Sequence, residues 1–142
     1  MTERARLFTQ DDLSQDAVVS LNANQAHYLR NVMRFGTGET IALFNGCDGE
    51  WRGRIESLGK NRGAVRVESQ LRQQTDEPDL WLLFAPLKRA RLDMVVQKAV
   101  ELGVSRLQPI ITERTNMARI NRVRLTANVI EATEQCERLT IP

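Results

Sequence analysis

The chain is 142 residues long, with 42% hydrophobic residues and a formal net charge of +2. This composition excludes extended disorder, and no apolar run approaches the roughly 20 residues of a membrane-spanning helix. The two distant cysteines, Cys47 and Cys136, argue against a zinc site or a disulfide framework, and a single histidine excludes a His-rich metal site, so no metal is expected. The first residues lead into no apolar signal region, and a cytoplasmic protein without a membrane partner is expected.

Short strands and one helix are predicted for the first half of the chain. Residues 24–33 have a helical pattern, with Asn22 or Asn24 as the N-cap. Alternating apolar and polar residues predict strands over residues 40–44, 50–56 and 64–68, separated by turns at residues 45–49 and 59–63. Several short strands and one helix in fewer than eighty residues favour a small β-barrel.

A polar segment that contains Pro78 separates two regions of different charge. Residues 1–79 carry ten Lys/Arg and twelve Asp/Glu, whereas residues 80–142 carry ten and six. Acidic residues flank the proline, which is a composition typical of a linker. We therefore predict one domain at residues 1–73, a linker at residues 74–79 and a second domain at residues 80–142.

Strands and helices alternate in the second half of the chain. Residues 81–85 form a continuous apolar run, typical of a strand covered on both faces, and residues 107–111 predict a second strand. Between them, residues 91–102 predict a helix that ends at Gly103, where a left-handed C-cap belongs. A further helix is predicted over residues 120–138. The order β-α-β-α implies a parallel sheet, and the chain as a whole is predicted to be α+β.

Both predicted helices of the second half have an apolar stripe at helical spacing. In the first helix the stripe consists of Leu92, Val95, Val96, Ala99 and Leu102. In the second helix it consists of Ile120, Val123, Ala127 and Ile130. Lys98 and Glu101 lie on one side of the first helix, and a simple surface pair is the favoured interpretation.

Basic residues cluster between the first strand of the second half and the helix that follows it. Lys88, Arg89 and Arg91 fall at the carboxyl end of a parallel strand, where open α/β sheets bind ligands. Cations at a helix N-terminus oppose the helix dipole, and this local cost favours phosphate binding; a solvated basic turn is an equal alternative. Glu113 and Arg114 end the second strand at the same edge, where a site role is as favoured as a surface role.

Basic residues of the first half point to RNA phosphates. His27, Arg30 and Arg34 lie near one helical face and its exit, and two arginines four residues apart repel each other unless an anion binds between them. A single histidine is more often structural than catalytic. The hairpin arginines predict exposed basic faces, as RNA-binding barrels have, and they are Arg52, Arg54, Arg62 and Arg66.

Motifs in a fixed order connect these observations. The second half contains residues 98–104 (Lys-Ala-Val-Glu-Leu-Gly-Val), residues 109–115 (Pro-Ile-Ile-Thr-Glu-Arg-Thr) and residues 134–138 (Glu-Gln-Cys-Glu-Arg). The first half contains the histidine and arginines of residues 27–34, followed by Phe-Asn-Gly at residues 44–46. Together these motifs resemble the RsmE-type enzymes, which methylate N3 of a uridine in 16S ribosomal RNA with S-adenosylmethionine.

The resemblance implies a fold and a set of partners. A small PUA-like β-barrel would be followed by the first part of an α/β SPOUT methyltransferase domain, whose C-terminus forms a trefoil knot. The cofactor would be S-adenosylmethionine, bound beyond Pro142, so that these 142 residues alone would be inactive. The partners would be 16S ribosomal RNA in the small subunit and a second copy of the chain in a homodimer.

Site roles follow from the resemblance in the same way. Arg114 and Arg138 would be the catalytic, substrate-contacting residues, ordered by Glu113, Glu134 and Gln135. RNA binding would fall to His27, Arg30, Arg34, Lys88, Arg89 and Arg91. Two other classes of function stay open from the residues themselves. One is a non-catalytic RNA-binding module, and the other is an unrelated α/β protein with an attached barrel that binds another phosphorylated ligand.

Overall fold

The computed structural model describes residues 3–115 and 119–142. The chain divides into two compact units, residues 1–75 and residues 76–142, and each unit has its own hydrophobic core. Within the part of the chain that is described, no helix is long and apolar enough to cross a membrane.

The first unit is built on a five-stranded sheet in the order β1-β3-β4-β5-β2. Its strands are β1 (Arg6–Phe8), β2 (Val18–Leu21), β3 (Thr40–Phe44), β4 (Glu50–Leu58) and β5 (Gly63–Arg72). β1 runs parallel to β3, and the other neighbouring strands are antiparallel. The three predicted strands correspond to β3, β4 and β5. The sequence prediction did not include β1 and β2, which are too short for alternation to reveal.

Alternate residues of the long strands form the core of the first unit. Ile41 and Leu43 of β3 join Ile55 of β4 and Val65 and Val67 of β5 in one buried cluster. Burying a side chain of this size contributes about 1.5–3 kcal/mol, so this cluster is a main source of stability in the unit. The period-two pattern of the sequence therefore reports directly which side chains face the core.

A short helix lies between β2 and β3. It begins as α1 (Ala23–His27) and continues as a π-helical segment (Tyr28–Val32). The Asn22 side chain accepts a hydrogen bond from the N–H of Gln25 at 3.0 Å, and the Gln25 side chain accepts one from the N–H of Asn22 at 3.1 Å. This reciprocal pair is a capping box, so Asn22 is the cap. The predicted helix is confirmed, although its second part has π geometry.

The second unit combines a two-stranded parallel sheet with two helices. Its elements are β6 (Trp81–Phe84), α2 (Arg89–Glu101), β7 (Arg106–Pro109) and α3 (Arg122–Gln135). The strand-helix alternation and the parallel pairing were both predicted. Gly103 ends α2 with a φ of +88°, as expected for a left-handed C-cap.

The two helices pack against each other through their apolar faces. The buried residues of this contact are Leu92, Val96 and Val100 of α2 and Leu125, Val129 and Ala132 of α3. The predicted stripe of α3 is wrong at two of its positions, since Val123 is 84% exposed and Ala127 is also exposed, whereas Ile120 packs against the core as predicted. In α2 the prediction fails only at its end, where Leu102 is 79% exposed. Both possible stripes of α3 have helical spacing, and only the position of α2 decides between them.

The apolar strand β6 is covered on one face. Phe84 packs against the core of the two helices, whereas Trp81 and Leu83 point away from it and are exposed. The expectation that this strand is covered on both faces is therefore wrong for the described residues. The sheet consists of only two strands, and both helices contribute to the single core on its inner face.

Candidate nucleic-acid interface

Most arginines of the five-stranded sheet are neutralised by glutamates. The Nε atom of each of three arginines lies 2.5–2.6 Å from a carboxylate oxygen, in the pairs Arg52–Glu3, Arg54–Glu68 and Arg66–Glu56. The expected basic faces of the hairpins are therefore wrong at these three positions. A guanidinium whose charge is already neutralised by a carboxylate attracts a phosphate less strongly, even though some of its N–H donors stay available.

Glu50 is a buried carboxylate that pairs with two arginines. Its buried carboxylate accepts hydrogen bonds from Arg6 and, at 2.6 Å, from Arg72, which ties β1 and β5 to β4. Burial alone would raise the pKa of Glu50, but the hydrogen bonds from Arg72 and Arg6 outweigh it and hold the pKa below its usual value. Arg6 also lies over the Phe44 ring, 3.9 Å from its centroid. These arginines therefore stabilise the sheet.

Four cations of the first unit are exposed and have no ion pair among the described residues. We call them the first-unit cation cluster: Arg30, Arg34, Lys60 and Arg62. Of these, the sequence prediction missed Lys60, whose position in the β4–β5 turn between two glycines was the available signal. Arg62 is the one hairpin arginine that keeps the predicted free charge.

Strand register brings this cluster to one end of the sheet. Gly63 pairs with both Leu21 and Leu58, so the β4–β5 turn lies beside the end of β2, where α1 begins. At the other end of the helical region, the Gly38 N–H donates to the Ile55 carbonyl at 2.8 Å. The helix and the turn therefore occupy the same end of the unit.

His27 lies on the exposed side of α1. Its Nδ1 atom is 2.8 Å from the side-chain amide nitrogen of Asn31, one turn later. This contact uses one ring nitrogen and fixes the plane of the ring. His27 thus stands beside the cations that were predicted with it, Arg30 and Arg34, on the same short helical region.

A second group of cations lies at one edge of the β6–β7 sheet. Lys88 is the N-cap residue of α2, and Arg89 and Arg91 occupy its first turn; all three are exposed and none has an ion pair among the described residues. We call these three residues and Arg114 the sheet-edge cations. The Lys88 side chain makes no capping hydrogen bond, so it is free to reach a ligand.

Arg114 reaches the same edge from the loop after β7. The Ile110 N–H donates to the Phe84 carbonyl at 2.9 Å, which joins the carboxyl ends of the two strands. A turn follows in which the Thr112 N–H donates to Thr115 Oγ1 at 2.7 Å, and Glu113 and Arg114 stand exposed at its tip. The loop between β6 and α2 and the loop after β7 thus both begin at the carboxyl edge of the β6–β7 sheet, as the sequence predicts.

Arg138 is held inside the second unit. Its side chain is only 10% exposed and forms a two-point ion pair with Glu77, with an Nε–Oε1 distance of 3.0 Å. It also donates to the carbonyls of Val100 at 2.8 Å and Val104 at 3.0 Å. Burial would raise the pKa of Glu77, but the hydrogen bonds from Arg138 hold that pKa below its usual value. All of these contacts of the Arg138 side chain are made to other residues of the second unit.

Glu134 and Gln135 occupy the last turn of α3, the former half-buried and the latter exposed. Gln135 lines a cavity of about 240 Å³ between α2 and α3. The cavity is lined by Asp93, Gln97, Asn128, Glu131, Ala132 and Gln135. Asp93 accepts hydrogen bonds from Arg124 and, at 2.9 Å, from Asn128, so its charge is satisfied within the unit.

Sequence comparison connects both units to RNA-modifying proteins. Residues 21–68 match the RNA methyltransferase PUA domain, and residues 75–142 match the RNA methyltransferase domain. A ribosomal RNA small subunit methyltransferase E from Rickettsia conorii is 36% identical over 96% of this chain and 57% of its own length. The corresponding protein from Synechocystis is 30% identical over 89% of this chain and 42% of its own length.

Solved structures agree with the sequence matches. The ribosomal RNA small subunit methyltransferase E from Neisseria gonorrhoeae, bound to S-adenosylmethionine, has a TM-score of 0.87 and 31% identity, and the match covers 97% of this chain and 59% of that one. A Legionella pneumophila protein described as a methyltransferase with bound S-adenosylmethionine has a TM-score of 0.85 and 30% identity, over 97% and 60% of the two chains.

The chain belongs to the RsmE-type RNA methyltransferase family. Its fold class is that of the family, with a PUA-like unit followed by part of an α/β SPOUT domain. The chain spans less than two thirds of the length of these relatives. The first family match contains all four residues of the first-unit cation cluster, and the second contains the sheet-edge cations. No cluster of metal-ligating side chains occurs among the described residues.

Proposed function

We propose that this chain serves in the S-adenosylmethionine-dependent methylation of N3 of a uridine in 16S ribosomal RNA of the small subunit. The observation that carries the proposal is the likeness, over nearly the whole chain, to a small subunit methyltransferase that binds S-adenosylmethionine. The unpaired cations of both units support an RNA substrate, because contacts to phosphates come mainly from arginine and lysine side chains. A homodimer is part of the same proposal.

RNA binding is the role that the geometry of the chain supports most directly. The sheet neutralises its own arginines, while the first-unit cation cluster leaves four charges free at one end of the unit. Each cation that replaces a counterion on the RNA contributes to affinity at low salt. We assign phosphate contacts to Arg30, Arg34, Lys60 and Arg62, with His27 beside them.

The sheet-edge cations suit the target nucleotide. Uracil N3 carries a proton that must leave before a methyl group is attached, and nearby positive charge lowers the pKa of such a group. The target base must also be unstacked or single-stranded to be reached. Arg114, exposed at the tip of its turn, is our candidate for contact with the base, with Glu113 ordering it. Lys88, Arg89 and Arg91 would hold the neighbouring phosphates.

We assign Arg138 a different role from the one its motif implies. A side chain that is 10% exposed and bonded to Glu77 and two carbonyl oxygens is committed to the protein. Arg138 would then act as a structural residue that fixes the segment after α3, where Glu134 and Gln135 are found. The variant to compare with a substitution of Arg138 is Arg114→Ala. Arg114→Ala should impair catalysis without a loss of stability.

The cavity between α2 and α3 does not fit the cofactor. Small-molecule sites typically enclose a ligand in about 300–1,000 Å³, whereas the cavity between α2 and α3 has about 240 Å³. Two carboxylates and three amides line that cavity, and Asp93 is already bonded within the unit. We therefore assign no residue described here to the cofactor and expect the 142-residue chain alone not to bind it with a Kd tighter than the millimolar range.

Methyl transfer to unmodified small ribosomal subunits tests the proposed function. The protein as encoded by its gene is incubated with labelled S-adenosylmethionine, and the modified base is mapped in the RNA. Label at N3 of one uridine is the expected result. Label at another position or on another RNA would contradict the proposal. Salt-dependent RNA binding without any methyl transfer would favour the second candidate, a non-catalytic RNA-binding module, which the free cation cluster by itself also supports.

A further inference from the structure

The π-helical segment exposes apolar side chains that folding does not use. Tyr28 is 39% exposed and Val32 is 61% exposed, while Leu29 between them is fully buried in the core. The Tyr28 hydroxyl makes no hydrogen bond to the described residues. More than a third of the Tyr28 surface is therefore open to solvent, and its hydroxyl is not held by a polar contact with the described residues.

The backbone at this position is unusual in two respects. The Met33 N–H donates to the Tyr28 carbonyl at 3.0 Å, five residues back, which is the bond of a π turn. Arg34 follows with a φ of +59°, in the left-handed region where glycine is the usual residue. Single π turns and left-handed non-glycine residues cost folding energy and occur frequently at functional sites.

The charges around the exposed ring favour a polyanion. Arg30 lies between Tyr28 and Val32 in the sequence, and Arg34 follows one turn later; both are exposed without an ion pair among the described residues. The remaining members of the first-unit cation cluster, Lys60 and Arg62, belong to the same end of the sheet. Residues two apart do not face each other on a helix, so Arg30 lies on a different side of the segment from Tyr28, and only an extended ligand that crosses the segment would meet both.

We propose that the surface formed by Tyr28, Val32, Arg30 and Arg34 holds an unstacked base of single-stranded RNA, with the arginines on the adjoining phosphates. The inference rests on the proposed function, because it names the form of RNA that the first unit binds. Proteins bind single strands by stacking bases on aromatic side chains beside a positively charged groove. A duplex keeps its bases stacked and would offer only phosphates to this surface.

The test compares a uridine-rich single strand with the same strand annealed to its complement. Binding of each to the 142-residue chain is measured by fluorescence anisotropy at one fixed salt concentration. The single strand is expected to bind more tightly. Tyr28→Ala should weaken its binding roughly fivefold or more, whereas Tyr28→Phe, which keeps the ring, should bind as the wild type does.

A matched pair of valines controls for general effects of the surface. Val32→Ala should weaken single-strand binding slightly, and Val18→Ala, an exposed valine on β2, should leave it unchanged. Thermal unfolding checks that each variant folds. If Tyr28→Ala does not fold, 2-aminopurine placed in the single strand decides the question with the wild type, because stacking on the ring quenches its fluorescence.

The outcomes separate this inference from the function on which it rests. Salt-dependent binding that is equal for both RNA forms, or equal for Tyr28→Ala and Tyr28→Phe, overturns the inference and leaves RNA binding by the chain intact. Unquenched 2-aminopurine in a saturated complex overturns it as well. Absence of any salt-dependent RNA binding overturns both proposals.

Discussion

Arg138 and Glu77, sixty-one residues apart, form a two-point ion pair that closes the second unit. The pair joins the segment before β6 to the segment after α3. Through its bonds to the carbonyls of Val100 and Val104, Arg138 also anchors the end of α2. A single guanidinium thus connects three separate stretches of chain. Glu77 falls in the segment predicted as a linker, yet its carboxylate is part of the second unit.

Removal of Arg138 should therefore cost stability. Arg138→Ala removes the ion-pair partner of Glu77 and the side-chain donor to the carbonyls of Val100 and Val104, and removing one partner of a mostly buried pair costs about 3 kcal/mol. Urea unfolding followed by circular dichroism measures the change. The control is Lys98→Ala, which breaks the exposed pair with Glu101 and should leave the midpoint unchanged. Equal midpoints for wild type and Arg138→Ala would refute the structural role of Arg138.

Acid should destabilise both units over the same pH range. Glu50 and Glu77 have folded-state pKa values below the ordinary 4.5, so their contribution is present above that value and is lost as the pH falls through the lowered values. The free energy of unfolding should be flat from pH 7 to about 5.5 and should decline below about 4.5. Chemical denaturation at a series of pH values measures it.

The variant Glu50→Gln serves as the control for that pH dependence. It removes one titrating group whose folded and unfolded pKa values differ, so the decline of the first unit in acid should become shallower. The variant should also be less stable at pH 7, because Arg6 and Arg72 lose their charged partner. An unchanged acid slope would mean that Glu50 does not couple folding to pH.

Arg34 should show a conflict between stability and binding. A left-handed conformation costs a non-glycine residue about 1–2 kcal/mol, whereas glycine adds about 0.4–1 kcal/mol of unfolded-state entropy. Arg34→Gly should therefore be as stable as the wild type or up to about 1 kcal/mol more stable, and should bind RNA more weakly. Arg34→Lys keeps both the charge and the backbone cost, so both properties should stay near the wild type. A lower free energy of unfolding for Arg34→Gly than for the wild type would contradict the view that the left-handed backbone of Arg34 costs stability.

Local features of the sequence predicted local structure well. The cap of α1 and the left-handed Gly103 depend on a few neighbouring residues; the sequence predicts Gly103 and narrows the cap to Asn22 or Asn24, of which the structure has Asn22. The alternation that identified β4 and β5 is also local, because each of these strands has one more buried face, whereas β3 is buried at four successive residues, 41–44.

Features that depend on distant partners were not predictable in the same way. The buried stripe of α3 depends on where α2 packs, and Val123 has the same spacing as the residues that are buried. Arg54 looks like a free surface charge until β5 places Glu68 beside it. Arg138 belongs to the motif of residues 134–138, whose charged residues suggest contact with the substrate. Only the fold reveals that Arg138 is paired with Glu77.

The outer face of β6 should bind apolar probes. Trp81 and Leu83 are exposed there, so the 142-residue chain should enhance the fluorescence of an apolar dye or self-associate at higher concentration. Leu83→Lys should reduce both effects. Val123→Lys changes an isolated exposed residue on α3 and should leave them unchanged. A monomeric wild type without dye enhancement would contradict the open face.

The salt dependence of RNA binding decides whether the first-unit cation cluster contacts phosphates. Affinity for single-stranded RNA is measured from low to moderate salt for the wild type, for Arg30→Ala/Arg34→Ala and for Arg54→Ala. The double variant should lower the slope of log K against log salt by about 0.7 for each phosphate that is no longer neutralised. Arg54→Ala should leave the slope unchanged, because Arg54 is paired with Glu68. Equal slopes for the wild type and the double variant would contradict these contacts.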